Sequence, residues 1–476
     1  MVRYLSLASF FLLNGFAQDL SVAPGISDYR VFQRSAVGSA SIQLNGSSTA
    51  EGRNVEARVT KKGLALKALN WRAIGKVDDG KWSGRLDPVP TGGPYNIELR
   101  VAGKNSAGAA IKQILVGDLW LLAGQSNMEG VGDLLGVEPP NDLVHSFDQT
   151  DKWGIAKEPL HSLVDAADRV HWRPNAEKVR EKMTGVELEK FIANRKKGAG
   201  LGLPFAVEMV RRTGVPVGLL PCAHGGTSMD QWSPALKEKG GDSLYGATLR
   251  RVNLSGGNVA GILWYQGESD ASIKAAPVFL EKLERLVAAF RADFGQPELP
   301  FYSVQIGRHV SYTAQNEWNS VQSDQIKSET TIPHSGVAVS VDSNLDDGIH
   351  VSTEDQKKIG RRLADLATHA HKNGPRFASV KREGAMLRVA FTGVNGRLRS
   401  EGRISGFSIH SPKGEMLPLI YKVKVDPKNP SSVLLSIGGA IPSGAVLRYG
   451  AGRDPYCNLD DEKGMGVPVF GPIEIP

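Results

Sequence analysis

The chain has 476 residues, a length that corresponds to about three domains of ordinary size. Hydrophobic residues make up 41% and charged residues 22% of it, a composition that is ordinary for folded soluble proteins and excludes a mostly disordered chain. The net charge of +7 is small and scattered for this length, which disfavours a protein that binds nucleic acid through a dense basic face.

The chain begins with a pattern typical of a secretory signal peptide. Arg3 precedes an apolar stretch at 4–13, and the small residues Gly15 and Ala17 stand third-last and last before a cleavage point after residue 17. The stretch is shorter than the roughly 20 apolar residues that span a membrane. Residues 1–17 are therefore interpreted as a signal peptide, with a disordered start as the alternative. The mature protein is expected to be soluble and secreted or periplasmic.

Residues 18–112 predict a small β-sandwich domain. Segments 55–59 and 95–101 alternate apolar and polar residues, as half-buried strands do. Asn45-Gly46 follows a strand pattern at 41–44 and predicts a turn. Short strands at regular spacing, with turn signals between them, are typical of a sandwich.

From residue 113 to residue 372, apolar strands alternate with longer helical patterns. Strands are predicted at 118–122, 215–220, 261–265, 301–306 and 336–341, and helices at 203–213, 276–294 and 353–371. This alternation predicts an α/β domain in which a parallel sheet carries helices on both faces.

Two regions depart from that alternation. Residues 133–200 contain a charged helical run at 176–197 and are interpreted as an insertion over the active-site side, with a lid as one open hypothesis. Residues 373–476 return to a strand pattern and predict a third, β-rich domain.

Polar motifs follow four of the predicted strands. They are Gly-Gln-Ser-Asn-Met at 124–128, Ala-His-Gly-Gly-Thr-Ser at 223–228, Gln-Gly-Glu-Ser-Asp at 266–270 and Asp-Asp-Gly-Ile-His at 346–350. Each motif alone is a weak signal. In open α/β sheets, however, ligands bind beyond the carboxyl ends of the strands, so the four motifs are expected to meet at one site. Together they supply the parts of a serine hydrolase.

Each part has a chemical reason. Serine is a weak nucleophile until a base accepts its proton, so Ser126 is the candidate nucleophile and His350 the candidate base. Asp347 can fix the tautomer of that imidazole and stabilise the imidazolium. The tetrahedral intermediate needs hydrogen-bond donors. The candidates for this oxyanion hole are the Ser126 N–H, a Gly225 or Gly226 N–H and the side-chain amide of Gln266.

These motifs resemble those of the sialate O-acetylesterase group, carbohydrate esterases of the SGNH hydrolase superfamily. The similarity lies in Gly-Asp-Leu-Trp at 117–120 together with Gln-Ser-Asn-Met at 125–128, and in the later blocks at 264–268 and 347–350. Short segments of both β-rich regions also resemble this group. The resemblance implies a flavodoxin-like SGNH hydrolase core at 113–372, flanked by N- and C-terminal β-rich domains.

By this resemblance Ser126 is the nucleophile, and Asp347 and His350 complete the triad. Gly225 occupies the glycine position of the second block. The wider superfamily places an asparagine in the third block as an oxyanion donor, and Gln266 stands nearest that position here. Glu268 is the alternative acid, because some related esterases support the histidine with a carboxylate from this block.

The resemblance further implies hydrolysis of O-acetyl esters on carbohydrates through an acetyl-enzyme intermediate, without a metal ion or an organic cofactor. The expected partner is an O-acetylated carbohydrate, either sialic acid or an acetylated plant or bacterial glycan, and not a nucleic acid or a membrane. Two alternatives stay open. The chain could be a catalytically inactive carbohydrate-binding protein, or a lipid or aryl esterase of the same superfamily.

Cys222 and Cys457 are the two cysteines of the chain. They exclude a disulfide framework and a CxxC zinc pattern. The sequence leaves open one long-range disulfide or two free buried thiols. Cys222 is interpreted as a buried strand residue rather than as a nucleophile.

Overall fold

The computed structural model describes residues 20–105, 108–175, 177, 179–310 and 316–476. These residues form two compact units, one containing the described residues up to 27, 41–89 and 95–113, and the other 28–40, 90–94 and 114–476. The predicted signal peptide at 1–17 lies outside the described residues. Within the described ranges, no helix is both long and apolar enough to cross a membrane.

The first unit is built of antiparallel strands. The first two described strands are β1 (Leu20–Val22) and β2 (Val31–Gln33), of which β1 belongs to this unit. The strands that follow are β3 (Ser39–Ser48), β4 (Asn54–Lys61), β5 (Leu64–Ala65), β6 (Arg72–Asp78), β7 (Lys81–Pro90) and β8 (Gly92–Val101). Strand β4 pairs with β5, β6 and β8. Residues of β8 alternate between buried and half-buried, as the sequence predicts.

The turn predicted at Asn45-Gly46 is wrong, because both residues continue β3. Gly46 pairs with Val22 of β1. A Cβ atom on Gly46 would lie 1.9 Å from the carbonyl oxygen of Ser21. The glycine therefore permits the close approach of a neighbouring strand, which is the other common reason for glycine in a strand.

The second unit contains the α/β sheet. In chain order its elements are β9 (Ala109–Gly124, of which 109–113 count with the first unit), α1 (Ser126–Glu129), β10 (Gly132–Asp133), β11 (Val144–Phe147), β12 (Trp153–Ile155), β13 (Arg173–Pro174), β14 (Arg180–Glu181), α2 (Gly185–Asn194), β15 (Lys197–Ala199), α3 (Gly202–Thr213), β16 (Val217–Pro221), α4 (Leu244–Leu254), β17 (Gly261–Tyr265), α5 (Phe279–Asp293), β18 (Phe301–Gln305), α6 (Asn316–Thr331), β19 (Ser335–Val339) and α7 (Thr353–Thr368). Short 3₁₀ turns lie at Arg169–His171, Pro234–Asp242, Glu268–Asp270 and Ala276–Val278.

The centre of this sheet is parallel, in the order β11-β16-β9-β17-β18-β19. Strand β12 pairs antiparallel to β11, so the sheet as a whole is mixed. Strands β16, β17 and β18 are buried along their whole length, as expected when a parallel sheet is covered on both faces. Helix α3 packs against α7, and α5 packs against α6. The α/β class predicted from the sequence is thereby confirmed, whereas the sheet, which was predicted to be parallel, is mixed.

Four elements differ from the sequence prediction. Strand β11 belongs to the sheet, although it lies within the predicted insertion at 133–200. Among the described residues of the charged helical run predicted at 176–197, the helix is α2, and residues 176 and 178 lie outside the described residues. Helices α4 and α6 were not predicted, because each buries polar side chains that interrupt an apolar period: Arg251 in α4, and Gln322 and Gln325 in α6.

The C-terminal region is β-rich, as predicted. Its strands are β20 (Arg376–Glu383), β21 (Met386–Thr392), β22 (Leu398–Ser400), β23 (Phe407–His410), β24 (Met416–Leu417), β25 (Ile420–Asp426), β26 (Asn429–Ile437), β27 (Val446–Tyr449), β28 (Leu459–Asp461) and β29 (Phe470–Glu474). They form two four-stranded sheets, β20-β21-β26-β25 and β24-β23-β27-β29, and the pair β22-β28. Compactness groups this region with the α/β sheet in the second unit.

Candidate active site

The turn that carries Ser126 is defined by the glycine before it. Gly124 ends β9 with φ +133, and a Cβ at this position would lie 2.2 Å from the carbonyl oxygen of Tyr265. The N–H of Gln125 donates to the same oxygen at 2.8 Å, which ties the turn to β17. Only glycine fits this backbone at so close an approach. Ser126 then opens the single-turn helix α1, half-buried, and its hydroxyl makes no hydrogen bond to another described residue.

Asn127 links the serine turn to two other motifs. Its side-chain N–H donates to a carboxylate oxygen of Glu268 at 2.9 Å, and its Oδ1 accepts the N–H of Val351 at 3.0 Å. Gln356 of α7 donates to its main-chain oxygen at 3.2 Å. The side chain is 1% exposed, so these bonds are shielded from water. Asn127 thus fixes the motifs at 266–270 and 346–350 relative to Ser126, a role that the sequence did not assign to it.

Asp347 and His350 form a hydrogen-bonded pair after β19. The His350 Nδ1 lies 2.8 and 3.0 Å from the two carboxylate oxygens of Asp347. The backbone N–H groups of Ile349 and His350 donate to the same carboxylate at 3.0 and 2.9 Å. Partial burial raises the pKa of Asp347, but the bonds from the His350 ring and from the two N–H groups outweigh burial and hold that pKa below its ordinary value. An ionised Asp347 fixes the proton on Nδ1 and leaves Nε2 to act as a base.

Glu268 is the other carboxylate of the site. One of its oxygens accepts from Asn127, and the other is buried without a hydrogen-bond partner among the described residues. Burial raises the pKa of Glu268, while the Asn127 bond and the charge of His350 oppose that shift. The structure records no hydrogen bond from Glu268 to the imidazole within the described ranges, whereas Asp347 makes two contacts with it.

The predicted oxyanion donors fall into two groups. A Cβ on Gly225 would lie 3.3 Å from the Cβ of Ser126, so this backbone reaches the serine, but its N–H donates to Glu129 at 2.7 Å. Both side-chain hydrogens of Gln266 are also engaged, by the Thr227 carbonyl at 3.1 Å and the Asp270 carboxylate at 2.5 Å. The remaining candidates, the N–H groups of Ser126 and of the exposed Gly226, have no acceptor among the described residues.

Three histidines hold the loop that contains Gly225. The His161 Nε2 accepts the Ala223 N–H at 3.2 Å, and His171 and His224 join through their Nδ1 atoms at 3.1 Å with stacked rings. Burial lowers the pKa of His161 to about 3 and that of His224 to about 4, and it lowers the pKa of His171 as well. All three are therefore neutral near pH 7. They position the loop and do not supply a second base.

A cavity of about 480 Å³ lies at the end of the single-turn helix α1, and neither Ser126 nor the Asp347–His350 pair lines it. Glu129, whose carboxylate binds the Gly225 N–H, forms part of its wall. The segment 133–200 supplies most of the rest, including Leu163, Val164, Arg173, Phe191, Arg195, Lys196 and Lys197. Arg173 lies 5.5 Å from the centre of the Phe191 ring. A mixed aromatic and cationic wall of this kind suits a sugar, and above all a negatively charged one. A larger groove of about 780 Å³ lies within the first unit, and none of the four motifs lines it.

The four motifs thus lie at the carboxyl ends of β9, β16, β17 and β19, as the sequence led us to expect. The sequence did not single out Glu129, Asn127 or Lys197 for any role of their own. No pattern in the chain marks them, since each acts through a contact with a distant motif. No group of three or more His, Cys, Asp or Glu side chains placed to bind a metal ion occurs among the described residues. Cys222 and Cys457 are free and buried.

Comparison with known proteins identifies the family. Residues 116–369 match the family model described as carbohydrate esterase, sialic acid-specific acetylesterase. A probable carbohydrate esterase of Arabidopsis thaliana is 27% identical over 270 residues, which cover 52% of this chain and 88% of that protein. The human sialate O-acetylesterase is 22% identical over 298 residues, covering 56% of this chain and 55% of the human protein. The chain thus spans about half the length of the human relative.

A solved structure shows a similar fold. It is the crystal structure of a carbohydrate acetylesterase from Xanthomonas citri, which matches with a TM-score of 0.63 and 22% identity over 95% of this chain and 99% of that one. The family model covers more than half of the 476 residues and includes the motifs of Ser126, Gly225, Gln266 and His350. The chain belongs to the sialic acid-specific acetylesterase family of carbohydrate esterases, enzymes that hydrolyse O-acetyl esters on carbohydrates.

Proposed function

We propose that this chain is a serine esterase of the SGNH superfamily, with Ser126 as nucleophile, His350 as base and Asp347 as the supporting acid. The observation that carries the proposal is the Asp347–His350 pair, which is hydrogen-bonded at 2.8 Å on the Nδ1 side of the ring. When the outer strand β11 is left aside, the order β16-β9-β17-β18-β19 runs second, first, third, fourth and fifth along the chain, which supports a flavodoxin-like core. Strand β11, which lies between β9 and β16 in the sequence, pairs parallel to the outer side of β16. The family match at 116–369 supports a catalytic domain at 113–372 between β-rich domains at 18–112 and 373–476.

The proposed reaction has two halves. The Ser126 oxygen attacks the acetyl carbon while His350 takes the serine proton. The tetrahedral intermediate then expels the sugar oxygen, which receives that proton from His350, and acetyl-Ser126 remains. In the second half, His350 takes a proton from water, the resulting hydroxide attacks the acetyl carbon, and acetate leaves as Ser126 recovers its proton. The residues named so far supply every proton transfer in this scheme.

The oxyanion hole is proposed to contain the N–H groups of Ser126, Gly225 and Gly226 and the Gln266 amide. The Ser126 and Gly226 groups are ready to donate, since neither has an acceptor among the described residues. Gly225 and Gln266 would have to release Glu129 and Asp270 first. Loss of one such donor costs roughly 100- to 1000-fold in acyl transfer. Ser126 and Gly226 are therefore the donors that need not break an existing hydrogen bond, whereas Gly225 is the glycine whose backbone reaches Ser126.

The substrate is proposed to be an O-acetylated sugar that carries a carboxylate, such as sialic acid. The support for this choice is the wall of the cavity at the end of α1, where Arg173 and Lys196 add positive charge. Acetylated plant and bacterial glycans are the neutral alternatives. Secretion after cleavage at residue 17 is part of the same proposal, because such glycans lie outside the cell.

The test is acetate release by the wild type and by Ser126→Ala, measured on O-acetylated sialic acid, acetylated xylan, and acetyl and octanoyl aryl esters. We expect the wild type to act on acetyl esters and Ser126→Ala to lose about 10⁴-fold or more. Ser269→Ala is the matched control, since Ser269 is an exposed serine on a neighbouring motif. A folded wild type that releases no acetate would point to the carbohydrate-binding alternative. A preference for the octanoyl ester would point to a lipid esterase.

A further inference from the structure

The segment 133–200 makes a direct contact with the Asp347–His350 pair. Lys197, the first residue of β15, places its ammonium 3.6 Å from the Oδ2 of Asp347. The same ammonium lies 3.6 Å from the carboxylate of Asp133 and donates to the Asp346 carbonyl at 3.3 Å. Lys197 therefore joins its own segment to the loop that carries the pair.

Other bonds hold the two segments together at the same place. Strand β15 pairs with β10, which ends at Asp133. The Asp133 N–H donates to the Asp346 carboxylate at 2.9 Å, and the Thr353 hydroxyl donates to the Asp133 carbonyl at 2.5 Å. The backbone of the hairpin is thus fixed against the loop before the lysine is considered. The β10–β15 hairpin, bonded to this loop, therefore holds the ammonium of Lys197 beside Asp347.

The position of the ammonium has an electrostatic consequence for His350. Asp347 Oδ2 accepts from the His350 ring at 2.8 Å and faces Lys197 at 3.6 Å. A second cation on the same carboxylate competes with the imidazolium for its negative charge. Both side chains of the ion pair are less than half exposed, at 39% and 38%, so water screens the interaction only in part.

We propose that Lys197 is a positioning residue of the triad, one that holds the Asp347 carboxylate in place against the His350 ring. The inference rests on the proposed function. The other charged or titratable groups around the pair are Asp133 on β10, Asp346 on the same loop, Glu129 and Glu268 at two neighbouring strand ends, and His309 after β18. The carboxylates in this set favour the imidazolium. Lys197 is the cation that opposes them at contact distance.

A second role has to be separated from this one, because Lys197 also lines the cavity whose wall includes Glu129 of α1. A lysine that binds the sugar would change the KM for a glycan and leave a small aryl acetate unaffected. A lysine that positions Asp347 would change kcat for both substrates. It would also change the pH dependence, because base catalysis requires a neutral His350.

The test compares Lys197→Gln and Lys197→Arg with the wild type on an acetyl aryl ester and on an acetylated sugar, across pH 5 to 9. For Lys197→Gln we expect kcat to fall about tenfold on both substrates. We expect the acid limb of kcat/KM to move up by about half a pH unit, because loss of a nearby cation favours the imidazolium. Lys197→Arg should restore most of both. Lys190→Gln, which removes an exposed lysine of α2, is the matched control.

Three outcomes decide the matter. An unchanged acid limb, with a raised KM for the sugar alone, would overturn the proposal and make Lys197 a substrate contact. Wild-type kinetics in Lys197→Gln would overturn it as well. A wild type that releases no acetate, or a Ser126→Ala variant that stays active, would instead overturn the proposed function, so the two failures are distinguishable.

Discussion

The histidines near the loops that follow the parallel strands lie in two different surroundings. His350 is partly exposed, and a carboxylate holds its ring at 2.8 Å. His161 and His171 are buried, His224 is half-buried, and the three bond to a backbone N–H or to each other. The first arrangement stabilises an imidazolium, and the second penalises it. The partner of the ring, and not the residue type, therefore decides which histidine can carry a proton during the reaction.

The largest expected effect comes from removing the Asp347 carboxylate that binds the His350 ring. Asp347→Asn should lower kcat/KM for an acetyl aryl ester by about 10³- to 10⁴-fold, because the His350 ring loses both its fixed tautomer and the stabilisation of its imidazolium. Thermal unfolding of the variant checks that the fold survives. Glu268→Gln serves as the comparison, and a much greater loss there than in Asp347→Asn would transfer the supporting role to Glu268.

An intermediate effect is expected from acidifying the buried histidines. Their pKa values in the folded state lie below the ordinary 6.5, at about 3 for His161 and about 4 for His224. As the pH falls below 6.5, the unfolded chain binds these protons first, so the free energy of unfolding decreases until the folded pKa is reached. Between pH 6.5 and pH 5 each such histidine should cost about 2 kcal/mol of stability. Urea unfolding at the two pH values measures the loss.

A substitution measures how much His161 contributes to this decrease in the free energy of unfolding. Gln in place of His161 keeps an acceptor for the Ala223 N–H and cannot be protonated, so His161→Gln should reduce the difference between pH 6.5 and pH 5 by about 2 kcal/mol. His334→Asn is the control, because His334 is exposed and has φ +54, a conformation that asparagine tolerates. Equal pH dependence in wild type and His161→Gln would show that His161 is not a buried neutral group.

The smallest effect concerns the two thiols. Cys222, two residues before His224, is 2% exposed, Cys457 is 5% exposed, and both are free. Burial raises the pKa of both thiols, that of Cys457 to about 12, which disfavours the reactive thiolate. A thiol reagent should therefore label neither cysteine in the native protein and both in denaturant, and a reducing agent should leave the melting temperature unchanged. Rapid native labelling of Cys222 would show that the region around the buried histidines opens readily.

Much of the architecture could be predicted from local patterns. An apolar run predicts the strand at 261–265, and helical periodicity predicts α3. Both patterns are properties of neighbouring residues. Strand β11 and helix α6 could not be recognised in this way. Strand β11 is short and lies in a region without clear periodicity. Helix α6 buries glutamines that bond to distant segments of the chain. Gln325, for example, donates to the Gln266 carbonyl at 2.9 Å.

The sequence by itself determined the α/β class, through the alternation of apolar strands with helical patterns. It also proposed the residues of the candidate site, because four polar motifs come after apolar strands. It also supported the family, which the match at 116–369 established. Only the tertiary structure decided how the motifs are held. It brought Asn127 to Glu268, Glu129 to the Gly225 N–H and Lys197 to Asp347. The reason is physical: strand and turn preferences act between near neighbours, whereas each of these contacts joins residues that only the folded sheet brings together.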